Sequence, residues 1–302
     1  MPDLGTILTA MVTPFDEESR VDEQAFVALM HHLAENGSDG FVVAGTTGEA
    51  STMTDEEHLR LIELAVAERP PGTTVVAGTG TNDTREAVFL TERATQLGVD
   101  ATLVVTPYYN KPSRLGLTRH YEAVARATDK PLLLYNIPGR TATNMPLDLL
   151  RELAQIEHID GVKQANPEEL QPIDGMTLYA GDDATLARTL DLGGAGGICV
   201  ASHIVGNEMR RMVDEPANRA EIDASLSDVY ATLFMTSSPT CTKAALNLLG
   251  HRAGGLRLPL VPATEQELAE VRAMLVRHGL LADEDDERAA PAGASSARAN
   301  SA

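Results

Sequence analysis

The sequence has little cysteine, little lysine and no long apolar run. Cysteine occurs only at Cys199 and Cys241, too few for a disulfide scaffold, and this usage fits a reducing compartment. No stretch reaches the roughly 20 apolar residues that a membrane span needs. The opening MPDLGTILTAMVTPF lacks the basic start and apolar run of a secretory signal. Together these absences predict a cytoplasmic protein. Positive charge is scarce as well: the 302 residues carry a formal net charge of -20. A surface that acidic repels phosphate backbones and anionic lipid, so nucleic acid and membrane are poor partners. Metal-ligand spacings are also missing. Neither H-E-x-x-H nor C-x-x-C occurs, and His31 and His32 diverge on a helix. GTGTND (78–83) lacks the third glycine of a dinucleotide fingerprint, and GGAGG (193–197) precedes a strand rather than opening a helix.

What is present is an alternation of short β-branched runs and longer amphipathic segments. The strand candidates are TILTAMV (6–12), GFVVAG (40–45), TVVAGTG (74–80), ATLVVT (101–106), PLLLYN (131–136), IDGVKQA (159–165), TLYAGD (177–182) and GGICVA (196–201). Near-continuous apolar strands separated by helices mean a parallel sheet covered by helices, and eight repeats point to a closed (β/α)8 barrel. After the eighth strand only helical patterns remain. The expected organisation is a barrel over 1–215, a C-terminal helical appendage over 216–281, and a disordered charged and Ala/Ser-rich tail over 282–302.

In such barrels, chemistry gathers at the C-terminal ends of the strands and in the loops that follow. Four lysines are available: Lys111, Lys130, Lys163 and Lys243. Lys111 lies in a loop, Lys130 at the wrong end of a strand, and Lys243 at the start of an appendage helix, where a solvated charge is expected. Lys163 alone lies inside an apolar strand. The bland reading is a side chain that snorkels to the rim. The sharper one is an amine in a dry pocket, where burial disfavours the charged form and leaves a nucleophile able to condense with a ketone. The resulting iminium is an electron sink and needs no metal or cofactor. Tyr135, Tyr109 and Thr46 follow strands five, four and two and supply hydroxyls as proton carriers. The GTTGE turn (45–49) offers backbone N–H groups for a carboxylate, its glycines allowing close approach. Arg140 after the IPG turn could clamp a second carboxylate.

GTTGE, VTPYYNKPS, LYNIPGRT, GVK and GDD, set between TAMVTPF (9–15) and LRLPLVP (256–262), carry a resemblance. The chain resembles the pyruvate-dependent class I aldolase family of N-acetylneuraminate lyase and dihydrodipicolinate synthase. The resemblance implies a Schiff base between Lys163 and pyruvate, and proton relay by Tyr135, Thr46 and a Tyr109 donated across a subunit interface. It implies carboxylate binding around Thr46 and Thr47, a pocket shaped by Gly181 and Ile198, and a homotetramer built as a dimer of dimers. The PGRT turn implies L-aspartate-4-semialdehyde as second substrate, held by Arg140, with 4-hydroxy-tetrahydrodipicolinate as product, the first committed step toward diaminopimelate and lysine. Feedback by lysine would use Ala50, Ser51, Asp55, His58, Asn82, Glu86 and Tyr108, with Asp55 replacing a common histidine. Gln164 replaces an acidic residue frequent in the family and, with the following ANPEEL loop, is expected near the pocket rim. Three alternatives remain: a sialic-acid or keto-deoxy-sugar-acid lyase of the same family, a non-catalytic pyruvate-binding paralogue, and a metal-dependent aldolase.

Overall fold

The structure is a computed structural model that describes residues 3–283; most of the expected disordered tail, 284–302, lies outside the described residues. Eight parallel strands close into a barrel in sequence order. They are β1 (Ile7–Ala10), β2 (Gly40–Val43), β3 (Thr74–Gly78), β4 (Ala101–Val105), β5 (Leu132–Asn136), β6 (Ile159–Gln164), β7 (Thr177–Ala180) and β8 (Gly196–Cys199). Each falls within its predicted run. Except at β5, the predicted runs extend past the observed C-terminal ends of the strands by one or two residues, because there the chain leaves the ladder to build the loops that carry the mouth of the barrel.

The helices follow the polar punctuation of the sequence. Asp22 caps Glu23–Glu35 through the Ala25 N–H, and Thr54 opens Asp55–Glu68 with a reciprocal capping box to Glu57. Thr84–Leu97 ends at Gly98, whose φ of 91° is a left-handed cap that glycine adopts without strain. The periodicity predicts one helix over 217–235. The structure has two, Arg219–Ser225 and Ser227–Leu233, parted at Leu226. The C-terminal helices Thr240–Leu248 and Glu265–Arg277 contribute Cys241, Leu246, Val271 and Met274 to the same apolar core as Phe41 and Val43 on the outer face of β2.

Alternation sorts the strand residues between two environments. Leu8, Val42, Val76, Leu103, Leu133, Tyr135, Tyr179 and Ile198 pack together inside the barrel. Leu132, Leu134, Ile159 and Val162 face the outer helices. The β5–β6 ladder contains an irregularity: Leu132 pairs with Ile159, but Leu133 pairs with Gly161. One residue, Asp160, is extra, and beyond it Lys163 stands opposite Tyr135 on β5 and Tyr179 on β7.

Candidate functional site

Lys163 lies inside the barrel and is only 5% exposed. Its Nζ is 4.3 Å from the centroid of the Tyr135 ring, so the aromatic face meets the amine that the strand would otherwise have to bury alone. Gly161, two residues earlier on the same side, leaves room: a Cβ there would stand 2.6 Å from Leu133 Cδ2. The lysine stem therefore sits above a floor of close-packed aliphatic side chains. Above it opens a cavity of about 370 Å³ lined by Lys163, Tyr135, Thr46, Thr47 and Arg140.

The GTTGE wall of this cavity is tightly wound. Ala44 and Glu49 both have left-handed backbone, with φ of 52° and 58°. The Glu49 N–H donates to Thr46 O at 3.1 Å and the Ala50 N–H to Gly45 O at 3.2 Å. Thr13 Oγ1 donates to Gly48 O at 2.7 Å. Gly78 on β3 allows the approach, since a Cβ there would lie 2.5 Å from Ala44 O. Thr47 is buried at the foot of the loop and Thr46 is exposed to the cavity.

Arg140 is carried by a single helical turn, Pro138–Thr141, that follows β5. The group that anchors this loop was not apparent from the sequence. Asn136 is fully buried; its Nδ2 donates to Gln164 Oε1 at 3.0 Å and to Asn144 Oδ1 at 2.9 Å, while its Oδ1 accepts the Met145 N–H at 3.0 Å. One amide thus ties both ends of the Arg140 loop to β6. The signal was there in the Tyr135–Asn136 pair: alternation turns one residue inward to the cavity and the next outward, where an amide needs partners. Thr106 adds a second anchor, its backbone N–H and Oγ1 both donating to Tyr135 O.

Two expectations need correction. Lys243 is not a solvated charge. It is 1% exposed, its Nζ lies 2.6 Å from Glu49 Oε1, and it donates to Gly255 O at 2.7 Å. Burial pushes its pKa down to about 8 despite the carboxylate beside it. Gln164 does not sit at the cavity rim. It follows Lys163 on the pleat and so faces outward, bonded to Asn136 and to the Asn166 N–H.

The remaining candidates divide. Ala50, Ser51, Asp55, His58, Glu86 and Tyr108 line the same cavity as Lys163, so the two predicted sites are continuous within one chain; Asn82 is not among the lining residues. His58 donates from Nε2 to Gly78 O at 2.7 Å, which leaves Nδ1 as an acceptor, and burial lowers its pKa. Burial also raises the Tyr108 hydroxyl, with Glu86 adding to the shift. Tyr109 is 88% exposed with φ of 71° and does not reach the cavity of its own chain. Ile198 packs in the barrel interior with Tyr135. Gly181 is pressed against β6, where a Cβ would lie 2.7 Å from the Ala165 nitrogen. Asp183, in the GDD motif, is fully enclosed and accepts the Val200 and Ala201 N–H groups at 2.9 and 3.0 Å, while burial raises its carboxyl to about 6. It fixes the chain leaving β8. Cys199 is buried beside it with its thiol pKa raised by burial, which makes it a small core residue rather than a nucleophile. No helix among the described residues is long and apolar enough to cross a membrane.

A barrel whose interior lysine faces a tyrosine below a mouth of hydroxyls and one arginine defines a lyase of the class I aldolase type. Comparison with known proteins gives the particular group: residues 3–278 match the dihydrodipicolinate synthetase family model, and the chain belongs to that family. It is 42% identical over 278 residues to the 4-hydroxy-tetrahydrodipicolinate synthase of Bacillus subtilis, covering 88% of this chain and 96% of the relative. Its fold superposes on a dihydrodipicolinate synthase from Cyanidioschyzon merolae with lysine bound, at a TM-score of 0.88 and 40% identity, covering 92% of this chain and 99% of the other. It superposes equally on the chloride-inhibited dihydrodipicolinate synthase of Acinetobacter baumannii complexed with pyruvate, at 0.88 and 36% identity, covering 93% and 100%.

Proposed function

We propose that the protein condenses pyruvate with L-aspartate-4-semialdehyde through a Schiff base on Lys163, giving 4-hydroxy-tetrahydrodipicolinate. The observation that carries this reading is the buried Lys163 amine registered against Tyr135 at the open mouth of the barrel. The Lys163 amine adds to the pyruvate ketone, and loss of water leaves an iminium. Backbone N–H groups at Thr46 and Thr47 receive the pyruvate carboxylate. Proton loss from the methyl carbon gives an enamine, which attacks the semialdehyde aldehyde, and the new alkoxide takes up a proton. The substrate amine then adds to the iminium carbon, expels Lys163 and closes the ring. Tyr135, Thr46 and Tyr109 carry these protons. The iminium nitrogen takes up the electron pair released by deprotonation of the methyl carbon, so the route calls for no metal or cofactor. The exposure of Tyr109 suits a hydroxyl that works in a neighbouring subunit, within a homotetramer built as a dimer of dimers.

Incubation with pyruvate followed by borohydride reduction and peptide mapping tests the first step. The expected result is a pyruvate-derived mass adduct on Lys163; a folded protein that traps nothing has no Schiff-base chemistry. If the adduct forms but a sugar acid, and not aspartate semialdehyde, is turned over, the protein is a sugar-acid lyase instead.

Lysine is the proposed feedback ligand of the part of the cavity lined by Ala50, Ser51, Asp55, His58, Glu86 and Tyr108. A neutral His58 acceptor, Glu86 and Tyr108 offer acceptors for an ammonium group. Millimolar lysine is expected to lower turnover and raise the melting temperature; if both stay unchanged, this part of the cavity does not bind it.

A further inference from the structure

The Lys243–Glu49 pair is the most deeply buried ion pair among the described residues whose partners come from distant parts of the chain, with side chains 2% and 1% exposed. Such a pair costs desolvation of both ions and contributes little net stability compared with apolar packing. Its cost calls for another role, and its position indicates one. Glu49 is the last residue of GTTGE, held in left-handed backbone, and its N–H closes the turn on Thr46 O. Its carboxylate is gripped from two sides by the C-terminal segment: Lys243 lies against Oε1, and the Arg257 backbone N–H donates to Oε2 at 3.0 Å. The two cations themselves are fixed. Lys243 Nζ and the Arg257 guanidinium lie 4.1 and 4.4 Å from the Phe15 ring centroid, and Arg257 donates to Glu57, to Thr52 O and to Ser19 O. Neither Lys243 nor Glu49 lines the cavity.

We infer that Lys243 is a positioning residue: through Glu49 it sets the turn that presents Thr46 and Thr47 to the substrate carboxylate. This rests on the proposed reading of the site. The C-terminal helix Thr240–Leu248 thereby positions the substrate-binding turn without touching the reactants. A left-handed non-glycine residue relaxes toward ordinary backbone when its tether goes, and relaxation at Glu49 swings the peptide units of Thr46 and Thr47 away from the cavity.

The test compares wild type, Lys243→Met, Lys243→Arg and the double variant Lys243→Met/Glu49→Gln in the full chain. Borohydride trapping on Lys163 is measured against pyruvate concentration, together with steady-state kinetics and melting temperature. For Lys243→Met the expected result is a rise of about ten-fold or more in the pyruvate concentration for half-maximal trapping, with the adduct still reaching wild-type stoichiometry at saturation. Neutralising both partners in the double variant is expected to recover stability but not pyruvate affinity, because the uncharged pair no longer holds the turn, whereas Lys243→Arg is expected to recover part of the affinity. A melting temperature that falls while half-maximal trapping stays at the wild-type concentration would make the pair purely structural and overturn the inference. If Lys243→Met does not fold, the double variant decides: wild-type pyruvate affinity there overturns the inference equally. Absence of an adduct in wild type would instead overturn the Schiff-base reading itself.

Discussion

Lys163→Ala is expected to lose nearly all turnover, on the order of a thousandfold or more, because no other group at the mouth can form the iminium. The fold should survive. The site is already open above the lysine, and removing an amine from an apolar strand relieves a desolvation cost. Lys163→Arg should be as inactive as the alanine variant: a guanidinium keeps its proton and is not a nucleophile. The measurement is steady-state turnover with both substrates, alongside the melting temperature and the trapping assay. Turnover within about ten-fold of wild type in a folded Lys163→Ala protein would remove the lysine from the mechanism.

Arg140→Ala is expected to split the two half-reactions. The arginine sits on an exposed turn at the cavity wall, with its anchoring done by Asn136 rather than by its own side chain. Truncation should therefore leave the turn in place and remove only the charge. Trapping of pyruvate on Lys163 should stay near wild type, while kcat/KM for the semialdehyde falls by on the order of a hundredfold, the loss of a charge-assisted contact to a carboxylate. The acidic protein adds to this dependence: against a net charge of -20, bringing a second carboxylate to the mouth needs a local cation. Equal damage to trapping and to semialdehyde use would show that Arg140 supports the loop or the first substrate.

The barrel was legible because its signal is repetitive. Eight apolar runs, most of them separated by helical segments, leave few topologies open. Lys163 was legible for the opposite reason, as an exception within one of those runs. The contacts that hold the site were harder to read. Asn136 and Gln164 meet because β5 and β6 are neighbours, a pairing that no local pattern in either segment reports. Lys243 was misread because the amphipathic pattern of its helix suggests a surface and gives no sign that Glu49, nearly 200 residues earlier, would be buried against it. Both cases turn on side chains distant in sequence, whereas propensity and periodicity are local. The ends of the strands were overrun for a related cause: residues of the mouth loops keep strand-like composition although their backbone groups have left the ladder.

The extra residue Asp160 in the β5–β6 ladder bears on how this active site can change over evolutionary time. Downstream of it, inside and outside are decided by the parity of the residue count. Gaining or losing one codon in the short stretch from Asp160 to Lys163 would exchange Lys163 with its outward neighbour Gln164 or Val162, placing a charge among the outer-face aliphatics and an inert side chain at the mouth. The same lesion a few positions later, in the loop after β6, would change only the path of a connection. Substrate preference can thus drift through the loops by insertion and deletion, while the nucleophile's strand tolerates only replacement in place.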